Sequence, residues 1–193
     1  MTLRPCLIFA AIVLTALMVR PHDNPQANSV HFEKEGLSFD YPNGWTIADQ
    51  SNSDAQQLVL SNANTDAQIT VFVHRGRIDT PEKLAQARKA FIDPYVKAFN
   101  DRFVGLGAKP ESTPATSEVG GAAAEGVRIR ASLGGDAAEA SIFWAPLNGR
   151  VVVLTFFRPD DQNKQTMPAY DMVRNGIKVE APSPKASPSK KPI

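Results

Sequence analysis

The sequence predicts an α+β fold in which a mostly antiparallel sheet is sandwiched between helices. Three observations carry that expectation. Short runs of alternating apolar and polar residues fill the first part of the chain, a helix-spaced apolar stripe follows them, and the last of a second group of runs, Val151 to Phe157, is apolar at nearly every position. A strand of that last kind needs cover on both faces, which places a helix on each side of the sheet.

Leu37, Phe39 and Tyr41 alternate with Ser38 and Asp40, the period-two pattern of a half-buried strand. Pro42-Asn43-Gly44 marks a turn, after which Trp45 and Ile47 resume the alternation. The two runs are therefore expected to pair as a hairpin with the tryptophan directed inward. Gln57 to Ser61 and Gln68 to His74 are further strands, separated by the turn-rich Asn62-Ala63-Asn64-Thr65-Asp66, and complete a four-strand meander.

Thr80-Pro81-Glu82 is a helix start: threonine caps free N–H groups, proline loses nothing at the first helical position, and glutamate complements the dipole. Leu84, Ala87, Phe91, Tyr95 and Phe99 then share one face, a stripe expected to pack on the sheet. Asp93-Pro94 either kinks this helix or caps a second one, and Gly105 and Gly107 close the segment. Gly126 to Ser132, Ala137 to Ala145 and Val151 to Phe157 are three more strands, the last two joined through the hairpin-forming Asn148-Gly149. A second helix runs from Met167 to Asn175, with Thr166 or a neighbour as its cap and Gly176 as its stop, followed by Ile177-Lys178-Val179.

Around this domain, expected over residues 30–180, lie segments of another character. Arg4 precedes an apolar run from Cys6 to Val19, the layout of a secretory signal peptide, so residues 1–20 predict export. Fourteen helical residues rise only about 21 Å, short of a hydrocarbon core of about 30 Å. No clear small-x-small cleavage site follows, so an uncleaved membrane anchor with snorkelling Arg4 and Arg20 stays open as the alternative. Residues 21–29 form a polar linker, and residues 181–193 alternate Pro, Ser, Ala and Lys with almost nothing to bury, the composition of a disordered tail. Cys6 is the only cysteine, so no disulfide and no thiol chemistry are expected in the domain.

Composition narrows the function classes. The 193 residues are 42% hydrophobic and 21% charged, as in an ordinary globular domain. The formal net charge of +1 becomes −4 once the two leader arginines and the tail lysines Lys185, Lys190 and Lys191 are set aside. A mildly acidic domain is a poor partner for phosphate backbones, which argues against nucleic-acid binding.

Leu37-Ser38-Phe39-Asp40-Tyr41-Pro42-Asn43-Gly44-Trp45 resembles the opening of PsbP-like domains, in which an apolar strand leads into Tyr-Pro-x-Gly-Trp. Tyr41, Pro42, Gly44 and Trp45 are the structural motif. The resemblance covers about residues 30–180 and implies an α/β/α sandwich. That family spans the extrinsic subunit of photosystem II, a Ran-binding nuclear import factor and many exported bacterial proteins. What the likeness implies is a binding or accessory module with no transferable catalytic residues, because the shared motif consists of core and turn positions. The chain lacks the lipid-bearing cysteine of many bacterial relatives and adds a lysine-proline tail.

A direct search for chemistry finds no nucleophile elbow, phosphate-binding glycine loop, His-Glu-x-x-His or cysteine pair. His22, His31 and His74 lack ligand spacing, so neither a metal nor another cofactor is expected. Asp160-Asp161 and Asp136 with Glu139 are expected in solvated turns or at strand edges, where nothing tunes a carboxylate for acid-base work. His74-Arg75-Gly76-Arg77 precedes the helix start, so Arg75 and Arg77 form a candidate anion site, with Asp79 and Glu82 as competing partners. The reading is a noncatalytic exported module that docks onto a protein partner; the rivals are a domain binding lipid or cell-wall polymer and an enzyme of unknown reaction.

Overall fold

The computed structural model describes residues 28–182. The expected leader, nearly all of the linker and most of the tail lie outside the described residues. The described chain runs β1 (Ser29–Lys34), β2 (Leu37–Pro42), β3 (Trp45–Asp49), β4 (Ala55–Asn62), β5 (Gln68–His74), α1 (Pro81–Ala87), α2 (Asp93–Gly105), β6 (Glu111–Val119), β7 (Ala122–Leu133), β8 (Asp136–Leu147), β9 (Arg150–Pro159), α3 (Asn163–Gly176) and β10 (Lys178–Val179). Seven strands form one antiparallel sheet in the order β3-β4-β5-β9-β8-β7-β6, and three form a small sheet in the order β1-β2-β10.

The expected hairpin of residues 37–41 with 45–47 does not exist. β2 pairs with β1 and β10, whereas β3 pairs with β4, so the chain changes sheets at Asn43-Gly44 and only β3, β4 and β5 form a meander. Gly44 at φ +86° makes the sharp exit possible, and the Asn43 N–H donates to Asn28 O at 2.8 Å, binding the turn to the entering chain instead of closing a ladder. The two-residue hairpin turns place both residues at positive φ: Glu35-Gly36, Gly120-Gly121, Gly134-Gly135 and the anticipated Asn148-Gly149. That is the backbone twist a two-residue turn needs to match its strands.

β9 lies at the centre and is covered on both faces, as its composition requires. Val152, Leu154 and Phe156 join Leu37, Phe39, Trp45, Tyr170 and Val173 in one core, under α3 and the small sheet. Val151 and Val153 join Ile92, Phe103, Ile129, Ile142 and Trp144 in a second core, under α1 and α2. The observed layers are helices, a seven-stranded sheet, then α3 with the small sheet.

Both helical layers have local causes. Thr80 Oγ1 accepts the Lys83 N–H at 3.3 Å and Pro81 opens α1, as expected. Between α1 and α2 the backbone widens into a π-helical turn at Arg88–Ile92, where the Asp93 N–H donates to Arg88 O. Pro94 has no N–H for Ala90 O and its ring would press on that carbonyl, and the wider turn relieves both. α3 starts earlier than expected: Thr166 is not its cap but lies inside it, its Oγ1 donating to Gln162 O at 2.8 Å. Pro168 lies inside the helix and has no N–H to give Lys164 O, so that carbonyl loses its helical partner.

Candidate functional site

The two predicted arginines are not brought to a shared anion. Arg75 reaches Glu35 through Nη1 and donates from Nε to Asn52 O at 2.9 Å, while Arg77 Nε pairs with Asp79 at 2.8 Å. Asp79 also accepts from Lys83 Nζ at 2.7 Å, and that hydrogen bond foremost holds its carboxyl below the usual carboxylate range. Glu82 is likewise lowered, chiefly by its own backbone N–H. The free donors of the helix start are thus already engaged.

Tyr41, Pro42, Gly44 and Trp45 keep structural positions: Trp45 is buried in the core under α3, and Tyr41 packs on Phe39 with ring centroids 6.4 Å apart. His31 pairs with Asp40 at 2.7 Å, and His74 stacks on Phe91 at 5.0 Å, accepting the Gly76 N–H through Nδ1. His22 lies outside the described residues. Among the described residues no group of three or more His, Cys, Asp or Glu side chains is placed to hold a metal ion. Asp160 pairs with Arg130. Glu139 is not in a solvated turn or at a free strand edge. It sits within β8, only 12% exposed, where Arg158 Nη2 meets it at 3.1 Å and Ser141 Oγ donates to it at 2.8 Å. Its cross-strand register with Arg158 explains the burial, since a paired and hydrogen-bonded charge tolerates desolvation.

A roomier concavity among the described residues lies elsewhere, between α2 and the β6–β8 side of the large sheet. Tyr95 on α2 hydrogen-bonds the Thr155 hydroxyl of β9 at 3.0 Å, pinning the helix over the sheet's centre. The helix-side residues of β6, Ser112, Pro114 and Thr116, stay exposed. The space left is a groove of about 820 Å³, with Val96, Pro114, Val127 and Trp144 supplying apolar walls. Asn100 and Ser112 close one end, the serine hydroxyl donating to Asn100 Oδ1 at 2.9 Å. Pro114 in the middle of edge strand β6 interrupts the row of donors an added strand would use, so the groove offers side-chain contacts and not strand addition.

Arg88 spans this groove. Its Nη1 donates to Glu125 Oε2 at 3.1 Å, its Nε reaches Asp93 Oδ1 at 3.4 Å, and its guanidinium carbon stands 5.3 Å from the Trp144 ring centroid. On its far side is a second hollow of about 280 Å³ formed by Pro81, Leu84, Ala123 and Pro146, with Arg88, Glu125 and Trp144 as common walls. The two hollows are one trough divided by a side-chain bridge. That bridge is weak, because Arg88 and Glu125 are 50% and 70% exposed, and such pairs contribute at most about 1 kcal/mol. Sequence reasoning missed this site: Arg88 comes to stand over Trp144 from the π-helical turn, a contact between positions far apart in the chain that no local pattern announces.

No protein-family model and no curated protein sequence matches the chain. Solved structures do. The solution structure of cyanobacterial PsbP from Synechocystis sp. PCC 6803 superposes with a TM-score of 0.51 at 17% identity, covering 79% of this chain and 93% of that one.

The fold is PsbP-like.

A crystal structure of a Bacteroides thetaiotaomicron protein matches at TM-score 0.50 and 11% identity, with 82% of this chain covering 50% of that one. LpqN of Mycobacterium tuberculosis, described as involved in cell envelope biogenesis, is similar at TM-score 0.43 and 18% identity over 79% and 89% of the two chains. The PsbP-like fold agrees with the resemblance in residues 37–45, and at these identities it speaks to architecture alone. No helix among the described residues is long and apolar enough to cross a membrane.

Proposed function

We propose that this chain is a noncatalytic binding module that works outside the cytoplasm and docks an extended segment of a protein partner in the α2/β6–β8 groove. The observation that carries the reading is the trough itself: an aromatic floor, Trp144, beneath a weak ion-pair bridge, with apolar walls and satisfied charges at the rim. Grooves of this size with an aromatic anchor position are where peptide segments find most of their binding energy. The apolar leader from Cys6 to Val19 supports an extracytoplasmic setting, and the PsbP-like architecture supports an accessory role.

The test is crosslinking capture from the native envelope with the wild-type chain and with Val127→Arg, whose side chain fills the groove at a half-buried position. Circular dichroism and thermal unfolding establish that the variant folds. A stoichiometric partner captured by the wild type and lost with Val127→Arg supports the reading. Equal capture by both chains removes it, and binding of envelope lipid or polymer in place of a protein favours the rival. Intact mass of the recovered chain reports leader cleavage.

A further inference from the structure

Arg88 occupies a cation position. The Trp144 face lies beneath its guanidinium, and Glu125 and Asp93 accept from it on two sides, so an aromatic face and two carboxylates surround one positive charge. The same groups would receive any lysine or arginine presented from the trough, at the cost only of a weak, solvent-exposed bridge. The walls on either side, Pro81, Leu84 and Pro146 in one hollow and Pro114 in the other, suit an extended apolar or proline-spaced backbone. Proline-rich segments dock in aromatic-lined grooves because their extended conformation is formed before binding. The ligand chemistry is therefore a basic, proline-spaced segment.

The chain itself carries such a segment. Residues 183–193 read Ser-Pro-Lys-Ala-Ser-Pro-Ser-Lys-Lys-Pro-Ile, with three lysines and no acidic residue. They begin where the described chain leaves the domain: Pro182 lies 3.8 Å from where a Cβ on Gly149 would stand, with Arg77 on the same glycine at 4.0 Å. Gly149 follows β8, so Pro146 is on the order of 10 Å and Trp144 on the order of 15 Å away at about 3.4 Å per strand residue. The Ile78 N–H donates to Gly149 O at 2.7 Å, which brings the approach to Pro81 and α1 to the same corner. At about 3.1 Å per residue, an extended chain reaches about 25 to 28 Å from Pro182 to Lys190 and Lys191. That covers the distance to the Arg88–Glu125 bridge.

Resting on the reading of this trough as a binding surface, we propose that residues 183–193 occupy it, their lysines sharing or taking the position of Arg88 between Trp144, Glu125 and Asp93. A tethered segment needs little affinity. A short linker supplies an effective concentration in the millimolar range, so an intrinsic Kd of about 1 mM gives substantial occupancy. A partner presenting a similar basic segment then competes with the chain's own.

The test uses nitrogen-15 NMR on the full-length chain, on a chain ending at Pro182, and on the triple variant Lys185→Ser, Lys190→Ser, Lys191→Ser. Truncation is expected to shift the Trp144 indole N–H, the Arg88 Nε–H and the Val127 amide, and the triple variant to move them the same way. A synthetic peptide of residues 183–193 added to the truncated chain returns the signals toward the full-length positions, and Glu125→Gln weakens that titration about two- to fivefold. Identical groove signals in full-length and truncated chains overturn the proposal, as does peptide binding indifferent to Glu125→Gln. If the groove ignores the tail while Val127→Arg still abolishes partner capture, this proposal falls and the docking reading stands. Failure of both removes the groove as a binding surface.

Discussion

The two faces of the seven-stranded sheet are covered to different extents. Under α3 and the small sheet the core is sealed: Leu37 and Phe39 of β2 and Val179 of β10 extend the cover beyond the helix, and Phe156 stacks on Tyr170 with centroids 4.6 Å apart. Under α1 and α2 the helical layer is pinned at the centre by Tyr95 and leaves the β6 side open, where the Arg88 guanidinium stands over the Trp144 ring. A face sealed by a helix and a second sheet serves stability, whereas a face under a helical layer that stops short of β6, with a charged bridge, keeps apolar surface available at small cost. The contrast is the structural ground for the proposed docking groove.

The sharpest way to break that contrast is Trp45→Ala. The side chain is buried in the sealed core, and truncating it should cost about 3–5 kcal/mol, a large share of a small domain's stability. Urea unfolding measures it. A loss below about 1 kcal/mol would mean that the α3 face is not sealed at its β3 corner.

Glu139→Ala comes next. It leaves Arg158, 13% exposed, without its carboxylate, and removes the acceptor of Ser141. Breaking a buried pair from one side costs about 3–5 kcal/mol, and residual exposure places this one near or below the lower end, about 2–3 kcal/mol. Arg158 retains Asn163 Oδ1 at 2.6 Å, so Glu139→Gln, which keeps a carbonyl acceptor, should cost clearly less. Equal losses for the two variants would show that the charge, which both remove, dominates the site, and not packing or the acceptor that Gln keeps.

How far the chain's order was legible follows the range of the interactions involved. Thr80-Pro81 and Asn148-Gly149 could be read because a cap and a tight turn are decided by neighbours in sequence. The mistaken hairpin at Pro42-Asn43-Gly44 shows the limit of that logic: a turn signal says that the chain reverses or bends, not which sheet the next strand joins. β6 was missed because Glu111–Val119 contains one proline and few apolar residues, and it is held by register with β7. The trough was illegible for a related reason. Arg88 meets Trp144 and Glu125 across long sequence separations, and only the π-helical turn ahead of Pro94 aims it there. Arg75 and Arg77 were conspicuous as a cluster, and Asp79, two residues on, was legible as the partner of Arg77, whereas Glu35, the partner of Arg75, comes from the β1–β2 turn.

Arg88→Ala tests the open face. Its exposed pairs should contribute less than about 1 kcal/mol, so urea unfolding should change little while the uncovered Trp144 becomes more accessible to iodide or acrylamide quenching. Trp45, buried in the other core, supplies a protected reference. A loss comparable to that of Glu139→Ala would place Arg88 among the structural residues and close the distinction between the two faces.

The smallest expected effect lies at the rim of the sealed face. His31 is raised above its ordinary value of 6.5, first by the hydrogen bond with Asp40, which outweighs the opposing desolvation, and further by the Asp40 charge and by Glu33. A group whose folded pKa is raised stabilises while protonated, so the contribution is full below about pH 6.5 and fades as pH rises through the folded value. Thermal unfolding of the wild type and His31→Ala across pH 5 to 9 should therefore show two Tm curves that are separated in acid and converge above neutrality. Because the pair lies at the surface, added salt should narrow the acid separation. A separation that persists at high pH would assign the role of His31 to the packing of β1 on β2, a contribution that protonation does not touch.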